Sequence, residues 1–254
     1  MAINGRNYGS NEPQFQNVNQ VETPTSGSKG LNLGKVFGVM FIWLLFTAGI
    51  AFLGGYLFSL WLAKNFDQAY NGIFAVMIVS GISLIILTFV IQLYALRKDK
   101  GMLILSSLYV LAMGILCSSM TIFIDWQILG VAFGITCAIF GVLALIGMLA
   151  KNVKPIAMVG MMVLIGALMV SLITWIVSIW LPVNATFLWI LDFAIFGAML
   201  LLIIVDMHNI NKICESGQMS RNLTLYCALT LYTDFVYIFI RIAYYLAIAY
   251  GGKK

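Results

Sequence analysis

Seven runs of apolar residues, at positions 36–63, 72–96, 102–124, 128–150, 155–181, 186–205 and 223–250, leave this chain few ways to fold. Each is long enough to cross a hydrocarbon core of about 30 Å, which takes about 20 residues of α-helix. Inside lipid every backbone N–H and C=O must be paired within its own segment, so helices are the expected form. The first run is longer than a crossing needs, which predicts tilt or an interfacial extension. With 62% hydrophobic and 9% charged residues and a mean hydropathy of +1.02, a soluble domain of 254 residues is excluded. The predicted fold is an all-α membrane protein with seven transmembrane helices over residues 34–254. Residues 1–33, rich in Asn, Gln, Ser, Thr and Gly, bury too little apolar surface to offset their ordering entropy and read as a disordered polar tail.

Lys and Arg outnumber Asp and Glu by 14 to 9. In a membrane chain that excess reports topology, and nucleic-acid binding is not expected. Lys29, Lys35, Arg97, Lys98, Lys100, Lys151, Lys154, Lys212 and Arg221 all fall on one side of the seven crossings, against Lys64 and the terminal Lys253 and Lys254 on the other. The N-terminus is therefore predicted to be cytoplasmic and the C-terminus outside. Short connections make sequence neighbours into bundle neighbours. Gly130 and Gly134 form a GxxxG, with Gly160 and Gly166 as further small positions, and close helix packing is their expected use. Trp126, Trp175, Trp180 and Trp189 read as interfacial anchors. Met158, Met161, Met162 and Met169 read as adaptable packing. Cys117, Cys137, Cys214 and Cys227 are scattered, with no Cys-x-x-Cys and no Cys/His cluster, so buried thiols are expected and no cofactor is.

Charged groups at membrane depth are expensive and mark function by default. Four lie in or at the edge of the last two runs: Asp192, Asp206, Asp234 and Arg241. Asp206 follows Asp192 by about four helical turns, and Arg241 follows Asp234 by seven residues, so each helix presents its two groups on one face. The sequence predicts two polar levels along one seam, an outer Asp192–Arg241 ion pair and an inner Asp206–Asp234 pair. The outer pair reads first as neutralisation inside the bundle. Two carboxylates at close range in a low dielectric do not both ionise comfortably, so the inner pair is expected to share a proton and titrate in two coupled steps. His208, two residues beyond Asp206, could tune the pH response, although a solvated interfacial histidine is the plainer expectation.

At these positions the chain resembles the Bax inhibitor family, the transmembrane Bax inhibitor motif proteins. Leu231-Tyr232-Thr233-Asp234-Phe235 is similar to the family's strongest signature, and Asp206-Met207-His208-Asn209-Ile210 to its Asp-x-x-x-Ile. Thr136-Cys137-Ala138-Ile139-Phe140-Gly141, Gly147, the basic turn at Lys151 and Gly160 extend the likeness to about residues 35–250. The resemblance implies a seven-helix fold with the last helix central. It also implies a pH-sensitive calcium leak in which Asp206 and Asp234 form the sensor and gate. An arginine on the second helix latches onto the aspartate pair in this family, and Arg97 is the candidate here. The family's Asp-Leu-Ser after the basic turn is replaced by Asn152-Val153-Lys154-Pro155, and the outer Asp192 and Arg241 are no part of the pattern.

Calcium takes about six to eight oxygen ligands, so Asp206 and Asp234, as a metal site with few neighbouring oxygens, are expected to hold it weakly. Calcium is then the transported ion, with protons and the lipid bilayer as the other partners, and the chain is expected to be a monomer or a weak oligomer. An intramembrane aspartyl protease also carries two aspartates on consecutive helices, but with a Gly-x-Gly-Asp and a later Pro-Ala-Leu. Here Tyr232-Thr233-Asp234 stands instead and no proline follows Asp234, so no enzyme is expected. A retinal protein is set aside because the seventh run has no lysine for a Schiff base. The alternatives that stay open are a proton-coupled transporter and a membrane regulator of cell stress or death acting through protein partners. The compact architecture and short tail favour a bacterial plasma membrane, with the eukaryotic endoplasmic reticulum also possible.

Overall fold

The computed structural model describes residues 26–64, 66–95, 101–178, 184–216 and 219–251. Among them are seven helices: α1 (Ser26–Lys64), α2 (Phe66–Ala95), α3 (Gly101–Phe123), α4 (Trp126–Leu149), α5 (Lys154–Ser178), α6 (Ala185–Glu215) and α7 (Arg221–Gly251). All seven are long and apolar enough to cross a membrane, so the chain is an integral, multi-pass membrane protein. α1 begins at Ser26, inside the stretch read as a tail, and its 39 residues exceed a perpendicular crossing. Residues 1–25 lie outside the described residues.

α7 is the least apolar of the spans and the most buried. The two facts have one cause. A helix enclosed by other helices does not have to present hydrocarbon to lipid, so its sequence can carry Thr, Tyr, Asp and Arg. α7 packs against α1, α2, α3, α4 and α6, while α5 lies outside them against α6. The last helix is central, as the family likeness implies.

The signature of α7 is the belt that makes these contacts. Leu231 and Tyr232 are fully buried, and Phe235 and Val236 nearly so. Phe235 meets the rings of Phe133 and Phe140 on α4 edge-on at 5.6 and 5.5 Å. Tyr232 reaches α1, where its hydroxyl lies 2.6 Å from Thr47 Oγ1. Thr47 donates its single hydrogen to the Trp43 carbonyl at 2.9 Å, so in the first contact Tyr232 must be the donor.

Close helix crossings occur at other glycines than the GxxxG suggested. Gly130, Gly134 and Gly166 have open space where a Cβ would stand. A Cβ on Gly147 would lie 2.6 Å from the Ile204 carbonyl oxygen and 2.8 Å from Met207 Cβ, which fixes the α4–α6 approach. Gly54 and Gly55 meet Ser118 and Thr121 in the same way between α1 and α3. Gly160 sits in ordinary contact with α6. Spacing of small residues says that a close approach is possible, not which face makes it. Met158, Met161, Met162 and Met169 are exposed on the outer face of α5 rather than packed, and Cys137 is exposed where a buried thiol was expected. Both face the hydrocarbon, where thioether and thiol cost little.

Candidate functional site

α6 does not stop at Asp206, where its apolar run ends. It continues nine residues beyond Asp206 to Glu215, and α7 starts thirteen residues before Asp234. Both aspartates therefore sit well inside the bundle, at roughly 14 and 20 Å from those helix ends at about 1.5 Å per residue. Asp234 is buried and Asp206 half-buried.

The two carboxyl groups line one open-sided cavity of about 270 Å³ bordered by α2, α3, α6 and α7. Among the described residues no hydrogen bond joins them, and Asp234 Oδ2 is buried without a partner. Helix rise explains the separation. The step from Asp192 to Asp206 on α6 is about 21 Å, while that from Asp234 to Arg241 on α7 is about 10 Å, so both levels cannot be in register. The outer pair makes direct contact, and the inner pair faces across a cavity instead of touching.

Beside the apolar Ile91 and Leu229, the lining between the carboxylates carries several oxygen-bearing side chains. Thr88 and Gln92 enter from α2, Tyr109 from α3, and Tyr226, Thr230 and Thr233 from α7. Thr88, Thr230 and Thr233 each donate the hydroxyl hydrogen to a carbonyl four residues back, at 2.8, 3.2 and 2.8 Å. Each therefore offers the cavity lone pairs and no donor. The described lining holds no Lys, Arg or His. Such a space attracts a cation or a proton and repels an anion. Oxygen-bearing side chains from α2 and α3 thus border the same space as the two carboxylates. Among the described residues no group of three or more His, Cys, Asp or Glu is placed to hold a metal ion, so any ligand set must draw on those neutral oxygens.

Sequence reasoning missed these oxygens, although part of the signal is legible. Tyr226, Thr230, Asp234, Tyr237, Arg241 and Tyr245 recur every three or four residues and span an arc of about 100° at about 100° per residue. One face of α7 is polar from Tyr226 to Tyr245.

His208 corrects the expectation of a solvated side chain: it is buried, with Nδ1 3.3 Å from the Gly147 carbonyl oxygen on α4. Two residues along a helix turn a side chain by about 200°, so His208 faces away from the cavity that Asp206 lines. Its Nε2 has no partner. Arg97 lies outside the described residues, as does Trp180. Trp126 and Trp175 are exposed, as anchors would be.

The outer pair forms as the sequence predicts. Arg241 Nη1 bonds Asp192 Oδ1, and the Tyr245 hydroxyl donates to Asp192 Oδ2 at 2.7 Å. The guanidinium also lies 5.6 Å from the centre of the Tyr237 ring. A second cavity of about 530 Å³ opens beside this cluster, lined by Trp189, Asp192, Arg241 and Tyr244 among others.

Against this geometry, the family model described as Bax1-I, inhibitor of apoptosis-promoting Bax1, matches residues 31–250. A search of curated proteins finds no match.

Proposed function

The chain belongs to the Bax inhibitor family, and from that membership and the site we propose a calcium leak in which the Asp206–Asp234 cavity exchanges protons for calcium. The carrying observation is the cavity's chemistry: two carboxylates from α6 and α7, neutral oxygens from α2, α3 and α7, and no described basic group. With the cavity protonated, its wall is neutral and the helices around it stay together. Loss of the protons leaves two anions across one small volume. Their repulsion is relieved by a cation or by separation of α6 from α7, and both favour flux. Flux should therefore rise with pH. In this reading the site supplies oxygen ligands, and the protein acts as a conduit. Calcium affinity is modest because only two ligands are charged.

The same chemistry supports a second reading, a transporter that couples the carboxylates to proton movement, since a membrane carboxylate pair suits proton relay equally well. A regulator acting through protein partners is the third reading that family membership leaves open. The basic residues on the α2–α3, α4–α5 and α6–α7 side support a cytoplasmic N-terminus under the positive-inside rule. A bacterial plasma membrane is the favoured setting, and the protein works as a monomer or weak oligomer.

The test is calcium flux into liposomes carrying the purified protein, from pH 5 to 8, for the native chain and for Asp206→Asn/Asp234→Asn. Flux that climbs with pH and becomes flat in the double variant supports the leak. Folded protein that passes no calcium but takes up a solute when a proton gradient is imposed moves the assignment to the transporter.

A further inference from the structure

Two further cavities lie end to end along α1, on the side of the bundle where α3 ends and α4 begins. The shallower, of about 610 Å³, is walled by α1 residues between Phe52 and Ala63, by Thr121 and Ile122 of α3 and by Trp126 of α4. The deeper, of about 150 Å³, takes α1 residues between Leu44 and Ala51 and reaches the central helix at Phe235, Val236 and Phe239. Thr121 and Trp126 belong to both, so the two spaces adjoin. Phe52 and Trp126 stand at the junction with ring centres 5.4 Å apart, and both are exposed on the bilayer side.

The deeper space offers little to water. Besides the Trp126 indole, its polar side chains are Thr47, Thr121 and Cys117. Thr47 gives its hydrogen to the Trp43 carbonyl and its oxygen already receives Tyr232. Thr121 gives its hydrogen to the Ser118 carbonyl at 2.7 Å, and a thiol is a weak partner. A buried water needs about two to four good partners, and an apolar cavity of about this size in another protein stays dry and binds benzene or xenon. The shallower space is different. Ser59 spends its hydrogen on the Tyr56 carbonyl at 2.7 Å, but the Tyr56 hydroxyl and the Trp126 indole N–H bring donors to the interfacial end of the helices. Among the described residues neither lining holds a charged side chain.

We propose that the two spaces form one lipid site, in which an acyl chain of a bilayer phospholipid enters past Trp126 and ends on Phe235 and Val236 of α7. The neutral donors of the mouth suit the ester carbonyl at the top of such a chain, and with no charge in the lining the headgroup is not read. Length agrees. From Tyr56 to Leu44 α1 rises by about 18 Å, at about 1.5 Å per residue. Half of a hydrocarbon core of about 30 Å is about 15 Å, and a tilted helix covers less depth than its own length. The bilayer delivers chains directly to the mouth, whereas a charged solute would find no anchor there. The site is separate from the carboxylate cavity and does not depend on the leak reading. It gives the lipid a hold on the helix that carries Asp234, since Phe235 is the next residue.

The experiment reconstitutes the full-length protein in vesicles of dioleoyl-phosphatidylcholine containing a phosphatidylcholine with a diazirine near the end of one acyl chain. Illumination followed by peptide mass spectrometry shows which residues the chain end touches. Bulk lipid should label the exposed Met158, Met161 and Met162 of α5 in every sample. Phe235 and Val236 are only 5% and 3% exposed, so chains at the outer surface of the bundle do not reach them. The native chain should nevertheless be labelled at these two residues. That labelling should be lost in Ala48→Phe and Ala51→Phe, whose rings fill the deeper space from α1, while the α5 labelling stays. Leu129→Phe fills the same space from α4 where a ring on α1 is not tolerated. A native chain labelled on α5 but not at Phe235 or Val236 overturns the proposal, and so does labelling there that survives filling of the space.

Discussion

Tyr232 and Thr47 tie the central helix to α1 through one hydrogen bond whose direction is fixed, and that direction makes an asymmetric prediction. The Thr47 hydrogen is held by the Trp43 carbonyl, so Thr47 serves Tyr232 only as an acceptor. Thr47→Val removes the acceptor and strands the hydroxyl of a side chain that is fully buried. A buried donor left unsatisfied costs about 1–3 kcal/mol. Tyr232→Phe removes the donor instead and leaves a threonine oxygen whose hydrogen is still bonded, a loss closer to about 0.5–1.5 kcal/mol. In the double variant neither polar group is stranded by the other, so the destabilisations should fall short of additive by about 1 kcal/mol. Interhelical bonds in membrane proteins average about 0.6 kcal/mol, so the lower part of each range is the expected place to look. The assay is a double-mutant cycle on equilibrium unfolding of the purified protein in mixed micelles. Tyr232→Phe costing more than Thr47→Val, or strictly additive effects, would refute the assigned donor and with it this account of how α7 is anchored.

Two predictions concern positions where the structure departs from the sequence reading. Gly147→Leu should disrupt the α4–α6 crossing and lower the unfolding midpoint sharply, because backbone and Met207 leave no room, whereas Gly130→Leu and Gly134→Leu should fold with near-native stability. Thermal unfolding of the three variants side by side checks this, and equal losses would show the GxxxG to be a packing face after all. His208→Gln should leave the pH midpoint of calcium flux where it is, since His208 points toward α4 and not into the carboxylate cavity. A shifted midpoint would return the histidine to the sensor.

The spans were readable because hydropathy is a local signal that needs no knowledge of the partners. The Asp192–Arg241 contact was readable for a related reason, since two opposite charges in neighbouring membrane helices have few other ways to be neutralised. The register of the inner pair was not. It depends on how far α6 and α7 slide past each other, and the unequal spacing of the charges on the two helices already ruled out contact at both levels. Thr88, Gln92 and Tyr109 were out of reach for a different cause. They come from α2 and α3, and nothing in a single apolar run says which of its hydroxyls faces a cavity. The α7 stripe from Tyr226 to Tyr245 was present in the sequence but masked, because Tyr and Thr pass as near-apolar residues inside a hydrophobic run. His208 was placed in solvent only because run six was ended just before Asp206, while the helix continues to Glu215.

Proton release on calcium addition tests the central claim most directly. Calcium added to unbuffered, detergent-solubilised protein near pH 6 should acidify the solution, because a metal ion entering the cavity displaces protons from Asp206 and Asp234. The account predicts release of up to two protons per protein in the native chain, shrinking as the starting pH rises, and none from Asp206→Asn/Asp234→Asn. Calcium bound without proton release, or release that survives loss of both aspartates, would contradict it.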